Sequence, residues 1–211
     1  MEQFWTTIAT CASAAAAFIA LGISVHQTRL SNKQHLLDRR LSIWLAVQGL
    51  LELYGKNRAL LKKDNEPQLG LDVVFSMLAN NAHLCDIALA ASHPLVEEYQ
   101  RPFLVKLDEL KRMALESAFV FKGRTGVAAS AFLSSYQRLL FEIYQYCVLT
   151  DCMGKNARKF CQTLDQACEE VNESAQRREL YCAYDEISKA YAVICDDKMK
   201  KAIEKQIRLV R

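Results

Sequence analysis

The sequence predicts an all-α protein in which one N-terminal transmembrane helix continues into a cytoplasmic helical bundle. Three observations carry that expectation. Glycine (7) and proline (3) are scarce among 211 residues, while Ala, Leu, Lys, Glu, Arg and Gln dominate; these side chains lose least freedom in a helix. Apolar residues recur three and four positions apart from residue 30 onward, with no strand-like alternation. Residues 3–28 hold no Lys, Arg, Asp or Glu, a run of 26 uncharged positions.

The first element is therefore a membrane helix in the segment 1–28, with its span at about residues 4–25. Twenty-two residues rise about 33 Å, which matches a hydrocarbon core of about 30 Å. Trp5 stands at one end as an aromatic anchor, and Arg29, Lys33, Arg39 and Arg40 follow the other. The positive-inside rule then places the N-terminus outside and the remainder in the cytoplasm, as in a single-pass protein of a cell inner membrane. A secretory signal is the competing reading. Met1, Glu2 and Gln3 supply no basic region for one, and the positive cluster after the span acts as a stop to translocation.

The span is weakly apolar. Only seven of its residues are Leu, Ile, Val or Phe, and five hydroxyl side chains lie between residues 6 and 24. Thr6, Thr10, Ser13, Ala17, Ala20 and Ser24 follow one another at spacings of 4, 3, 4, 3 and 4, so they share one helix face. Small hydroxylated faces let helix backbones approach and exchange hydrogen bonds. Self-association of the spans is the expectation, with a ring of copies lining a pore as its stronger form. An Ala-rich span that has drifted to small residues is the plain alternative.

Residues 29–55 read as a juxtamembrane helix continuous with the span. Leu30, Leu37, Leu41, Trp44 and Leu51 recur at heptad-like spacing, with Gln34 and Gln48 in the seam. The apolar face formed by Trp44, Leu45, Val47, Leu50 and Leu51 is too wide for a bare two-helix seam, which favours packing on the chain's own domain.

Residues 56–211 form the bundle. KKDNEPQLG, residues 62–70, reads as a loop, and a helix is expected from Leu71 to about Ala91 with Leu71, Val74, Phe75, Leu78, Ala82, Cys85 and Leu89 inward. SHP, residues 92–94, reads as a cap and helix start. Pro102 breaks or kinks the next segment and leaves 103–120 as its main part. KGRTG, residues 122–126, is the strongest turn. A helix follows from Val127 to about Asp151, burying Phe132, Tyr136, Leu139, Leu140, Ile143 and Tyr144, and Gly154 ends it. Further helices are expected over about 156–173 and from Arg177 onward. The amphipathic end, DDKMKKAIEKQIRLVR, places Met199, Ile203, Ile207 and Val210 on one side to close the bundle, or to meet lipid or a partner helix.

No chemistry is named by motif. Phosphate-loop, dinucleotide, nucleophile-elbow and zincin patterns are absent. Eight cysteines and four histidines show no zinc-ligand spacing, so no metal and no cofactor is expected, and the cysteines read as reduced core residues. A net charge of +3 with interleaved signs gives no strong nucleic-acid signal. Trp5, Arg29, Lys33, Arg39 and Arg40 are the expected lipid-headgroup contacts.

Arg29 and His35, the ends of RLSNKQH, resemble the R-x(4–6)-H motif of the HEPN family of helical ribonucleases. That resemblance implies an Arg–His site formed across a dimer, and these two are the only catalytic candidates. The exit KQHLLDRRL, residues 33–41, with the short outside N-terminus and Ala/Ser-rich span, resembles a wider class. These are small bacterial single-pass proteins, such as the membrane-pore accessory proteins of RNA-targeting CRISPR and other phage-defence systems. The resemblance implies a self-associating membrane effector or sensor without a catalytic site, whose partners are the lipid bilayer, its own copies and a cytoplasmic protein. A membrane-tethered ribonuclease and a non-catalytic scaffold are the alternatives.

Overall fold

The computed structural model describes residues 2–61, 63, 70–160 and 163–208, with helical side chains from residue 17 onward. All regular structure among them is helical: α1 (Glu2–Asn57), α2 (Leu71–Leu78), α3 (Glu97–Val120), α4 (Arg124–Phe160), α5 (Leu164–Glu170), α6 (Glu173–Ile194) and α7 (Asp197–Ile207). Short 3-10 turns stand at Arg58–Leu60 and Cys85–Ile87.

The spine is α4. Phe132, Leu133, Tyr136, Leu139, Leu140, Ile143 and Tyr146 are all fully buried, a set too wide for one helix face. The helix must be covered on two sides, and α3 and α6 pack along it. Phe103, Leu107 and Leu110 come from α3, and Leu180, Tyr184 and Ile187 from α6. Among the described residues, α1 joins this core through its C-terminal part: Ile43, Trp44, Val47, Leu50, Leu51 and Tyr54. Each such side chain contributes about 1.5–3 kcal/mol by leaving water. Ile203 of α7 is fully buried, with Met199 and Ile207 packed beside it, so the last helix closes the bundle. Val210 lies outside the described residues.

Several expected boundaries move, each for a local reason. The helix begun at Leu71 stops at Leu78, because the Asn81 side chain accepts from the backbone N–H of His83 (3.0 Å) and Leu84 (2.8 Å) and so holds a turn. The buried Tyr136 hydroxyl donates to the Leu78 carbonyl at 2.6 Å and satisfies the helix end. Beyond this break the inward phase changes. Ala82, Cys85 and Leu89 are exposed, and Leu84 and Ile87 are buried in their place.

Residues 92–94 do not start a helix. The chain first passes through Leu95 at φ 67, and α3 begins at Glu97. Pro102 lies inside α3, where its missing N–H costs one bond close to the helix start. Gly154 lies inside α4, which runs on to Phe160 instead of stopping. A new break falls at Asp196, whose carboxylate accepts from Lys198 and Met199 and caps α7.

The expected 122–126 turn is shorter in the structure: α4 already begins at Arg124, and only Lys122 and Gly123 of that stretch lie outside a helix. Gly123 takes φ 62 there. Gly126 sits so close to the end of α3 that an added Cβ would lie 2.7 Å from the Phe121 carbonyl oxygen. A side chain at 126 is excluded by contact.

Candidate membrane anchor and bundle junction

Among the described residues no helix is long and apolar enough to cross a membrane. Trp5, Thr6, Thr10 and Ser13 have side chains outside the described set. Ala17, Ala20 and Ser24 are exposed on α1, as is every residue from 17 to 36. Phe18, Ile19, Leu21, Ile23 and Val25 stand between 45% and 76% exposed. This part of α1 extends beyond the bundle, apolar as far as Val25 and polar after it, with nothing among the described residues packed against it. At 56 residues α1 is about 84 Å long.

Arg29, Lys33 and His35 also lie on this bare stretch and are exposed. Five residues separate Arg29 from His35, an offset of six that turns the two side chains about 120° apart on a regular helix. No other element of the bundle frames them, so the structure does not bring the two together as a site within one copy.

Arg39 and Arg40 behave differently. Their position in sequence directs them to lipid headgroups, but the fold directs both to the bundle. Arg39 pairs with Glu116 of α3. Arg40 donates through Nε to the Val120 carbonyl at 2.6 Å and through a terminal nitrogen to the Gln206 carbonyl at 3.0 Å. These carbonyls belong to the last turns of α3 and α7, where backbone acceptors have no partner within the helix. The guanidinium also faces the negative ends of two helix dipoles. Gln206 completes the joint, its side chain accepting from Lys122 N–H (2.8 Å) and donating to the Thr125 hydroxyl (2.8 Å). The bare helix thus meets the bundle at one polar junction built from α1, the α3–α4 turn and α7. A signal for this exists in the sequence: Arg40 shares its helix face with Ile43, Trp44 and Val47, at offsets of 3, 4 and 7.

A second polar set lies between α4 and α6. The buried Glu173 carboxylate accepts both Arg177 contacts at 2.8 Å and the hydroxyl of the fully buried Tyr146. The three groups satisfy one another, as a carboxylate taken from water must be. Nearby, burial raises the carboxyl pKa of Glu142. Neither group followed from sequence periodicity, which identifies helix faces but not which polar residues on them find partners.

Of the described cysteines only Cys147 is buried, its thiol pushed up to about 12 by desolvation. Cys85 and Cys182 are exposed, so the expectation of core thiols holds for few of them. Cys11 has a side chain outside the described set, and Cys161 lies outside the described residues. No cluster of three His, Cys, Asp or Glu among the described residues has the geometry to hold a metal ion. The bundle does carry an open apolar groove of about 800 Å³ between α4, α6 and the start of α7. Val127, Ala131, Ala190, Val193 and Met199 line it, together with Arg124, Glu186 and Lys189.

No protein-family model, curated protein or solved structure matches this chain.

Proposed function

We propose that this chain is a membrane-anchored, self-associating effector or sensor with no catalytic site of its own. In this reading residues 4–25 cross a cell inner membrane, with the N-terminus outside and the bundle in the cytoplasm. The observation that supports it most is the uncharged start of α1, which leaves the bundle and is exposed on every side from residue 17 to 28. An apolar helix bare on all sides in water is unfavourable, and lipid or another copy relieves that cost. The span is weakly apolar, with seven bulky residues worth about −2 to −4 kcal/mol of insertion free energy, so association is expected to assist insertion. The bundle is the receiving part, and its open groove offers a surface to a cytoplasmic partner.

Recovery of the chain after lysis tests the anchor. It should stay with membranes through a high-salt wash and be released by detergent; full recovery without detergent overturns the reading. The pore form has its own test. Expression should depolarise cells, and replacing residues 4–25 by a poly-Leu span should abolish this while membrane association persists. The ribonuclease alternative needs a second copy to frame Arg29 and His35, and RNA cleavage lost in His35→Ala would favour it.

A further inference from the structure

We infer that two copies of this chain pair in parallel through the outer seam of α1, with Lys33 of each copy facing Asp38 of the other. The pairing deepens the proposed self-association and rests on it, naming the occupant of the face that the bundle leaves bare.

The heptad row 23, 30, 37, 44, 51 divides in the structure. Trp44 and Leu51 are buried in the chain's own core, whereas Ile23 and Leu30 are about half exposed. Geometry explains the change. On a straight helix a seven-residue row drifts about 20° per heptad, and here the drift carries it onto the bundle by Trp44. Before that point the row needs another partner. Gln27, Gln34 and Leu41 form the second row of the seam, and all three are exposed. With Gln27, Gln34 and Leu41 at the a positions, Ile23, Leu30 and Leu37 occupy d. Leucine at d and a polar residue at a are compatible with a two-stranded coil of fixed register, in which like residues meet across the axis.

Charge supplies the occupant and its direction. In this register Lys33 falls at g and Asp38 at the following e, the two positions that oppose each other between parallel strands. Both are exposed, and among the described residues neither has an ion-pair partner. Two symmetric Lys33–Asp38 pairs therefore form in a parallel dimer. An antiparallel arrangement sets g against g and e against e, which places like charges together. Common anchoring of both copies in one membrane imposes the same parallel direction.

The test is the mass of the full chain in detergent micelles, by sedimentation, as a function of concentration. Lys33→Asp and Asp38→Lys should each weaken association roughly tenfold, since two attractive pairs become repulsive by symmetry. The double reversal, Lys33→Asp with Asp38→Lys, should restore it. Leu30→Asp should abolish association, while Leu36→Asp, exposed on the same bare stretch but off the seam, should not. All these positions precede the buried part of α1, so the bundle remains folded. Failure of the double reversal to rescue, or equal loss in the Leu30 and Leu36 variants, overturns the pairing. A chain held in membranes yet monomeric overturns the pairing and leaves the anchor intact. A chain recovered without detergent that still shows the charge-reversal rescue overturns the anchor and supports the pairing.

Discussion

Residues 17–36 and residues 43–54 belong to one unbroken helix and are both rich in apolar side chains, yet the first stretch is bare and the second is core. In the outer stretch Phe18 is 76% exposed; in the inner one Val47 and Leu50 are fully buried. The difference is not one of helix-forming tendency. Inner apolar residues are large and gathered towards one side, and the bundle presents matching surface there. Outer ones are distributed around the helix, a pattern suited to lipid or to other copies. Arg40 marks the change, the point where a charged side chain of α1 turns onto the bundle and caps the ends of α3 and α7.

Substitution across this divide should give the largest contrast. Trp44→Ala should cost about 3–5 kcal/mol in chemical unfolding of the bundle. Leu30→Ala should stay within about 0.5 kcal/mol, because that side chain is not packed in a single copy. Equal costs would mean that the outer stretch is also packed on the bundle.

Arg40→Ala should come next, costing about 1.5–3 kcal/mol, since it removes charged donors from two helix-end carbonyls. Arg29→Ala and Lys33→Ala should leave bundle stability nearly unchanged. Hydrogen exchange offers a local readout, in which the Arg40 variant should expose the last turn of α7 before the core. Uniform exposure of the whole bundle would argue against a local joint.

Glycines sharpen the comparison. Gly126→Ala should destabilise by about 1–3 kcal/mol, because the added Cβ meets the Phe121 carbonyl at 2.7 Å. Gly154→Ala, in α4 with open space around it, should stabilise by up to about 1 kcal/mol by favouring the helix.

The smallest expected effect is on pH. Burial, with Lys106 nearby, lowers the pKa of His83, and its Nε2 has no hydrogen-bond partner. The native bundle then binds fewer protons than the unfolded chain. Its stability contribution is complete above the unfolded pKa of about 6.5 and is lost as pH falls through the lower folded value. His83→Gln should flatten thermal stability between pH 7 and 5, and an unchanged slope would assign that dependence elsewhere.

The sequence by itself determined that the chain is helical, that its N-terminal stretch lacks charge, that a turn falls at Gly123 and that the last helix is amphipathic. Those properties follow from local propensity and periodicity, which act over a few residues. Tertiary structure decided what covers each apolar face. The helix after Leu71 ends because the Asn81 side chain turns the chain back and Tyr136, 58 residues beyond Leu78, takes the exposed carbonyl. Gly154 stays helical, where its backbone freedom alone suggested a stop. Arg40 serves the bundle because Val120 and Gln206, 80 and 166 residues away, present unpaired helix-end carbonyls to it. An apolar stripe or a basic residue states what it needs, but only distant segments brought alongside settle what supplies it.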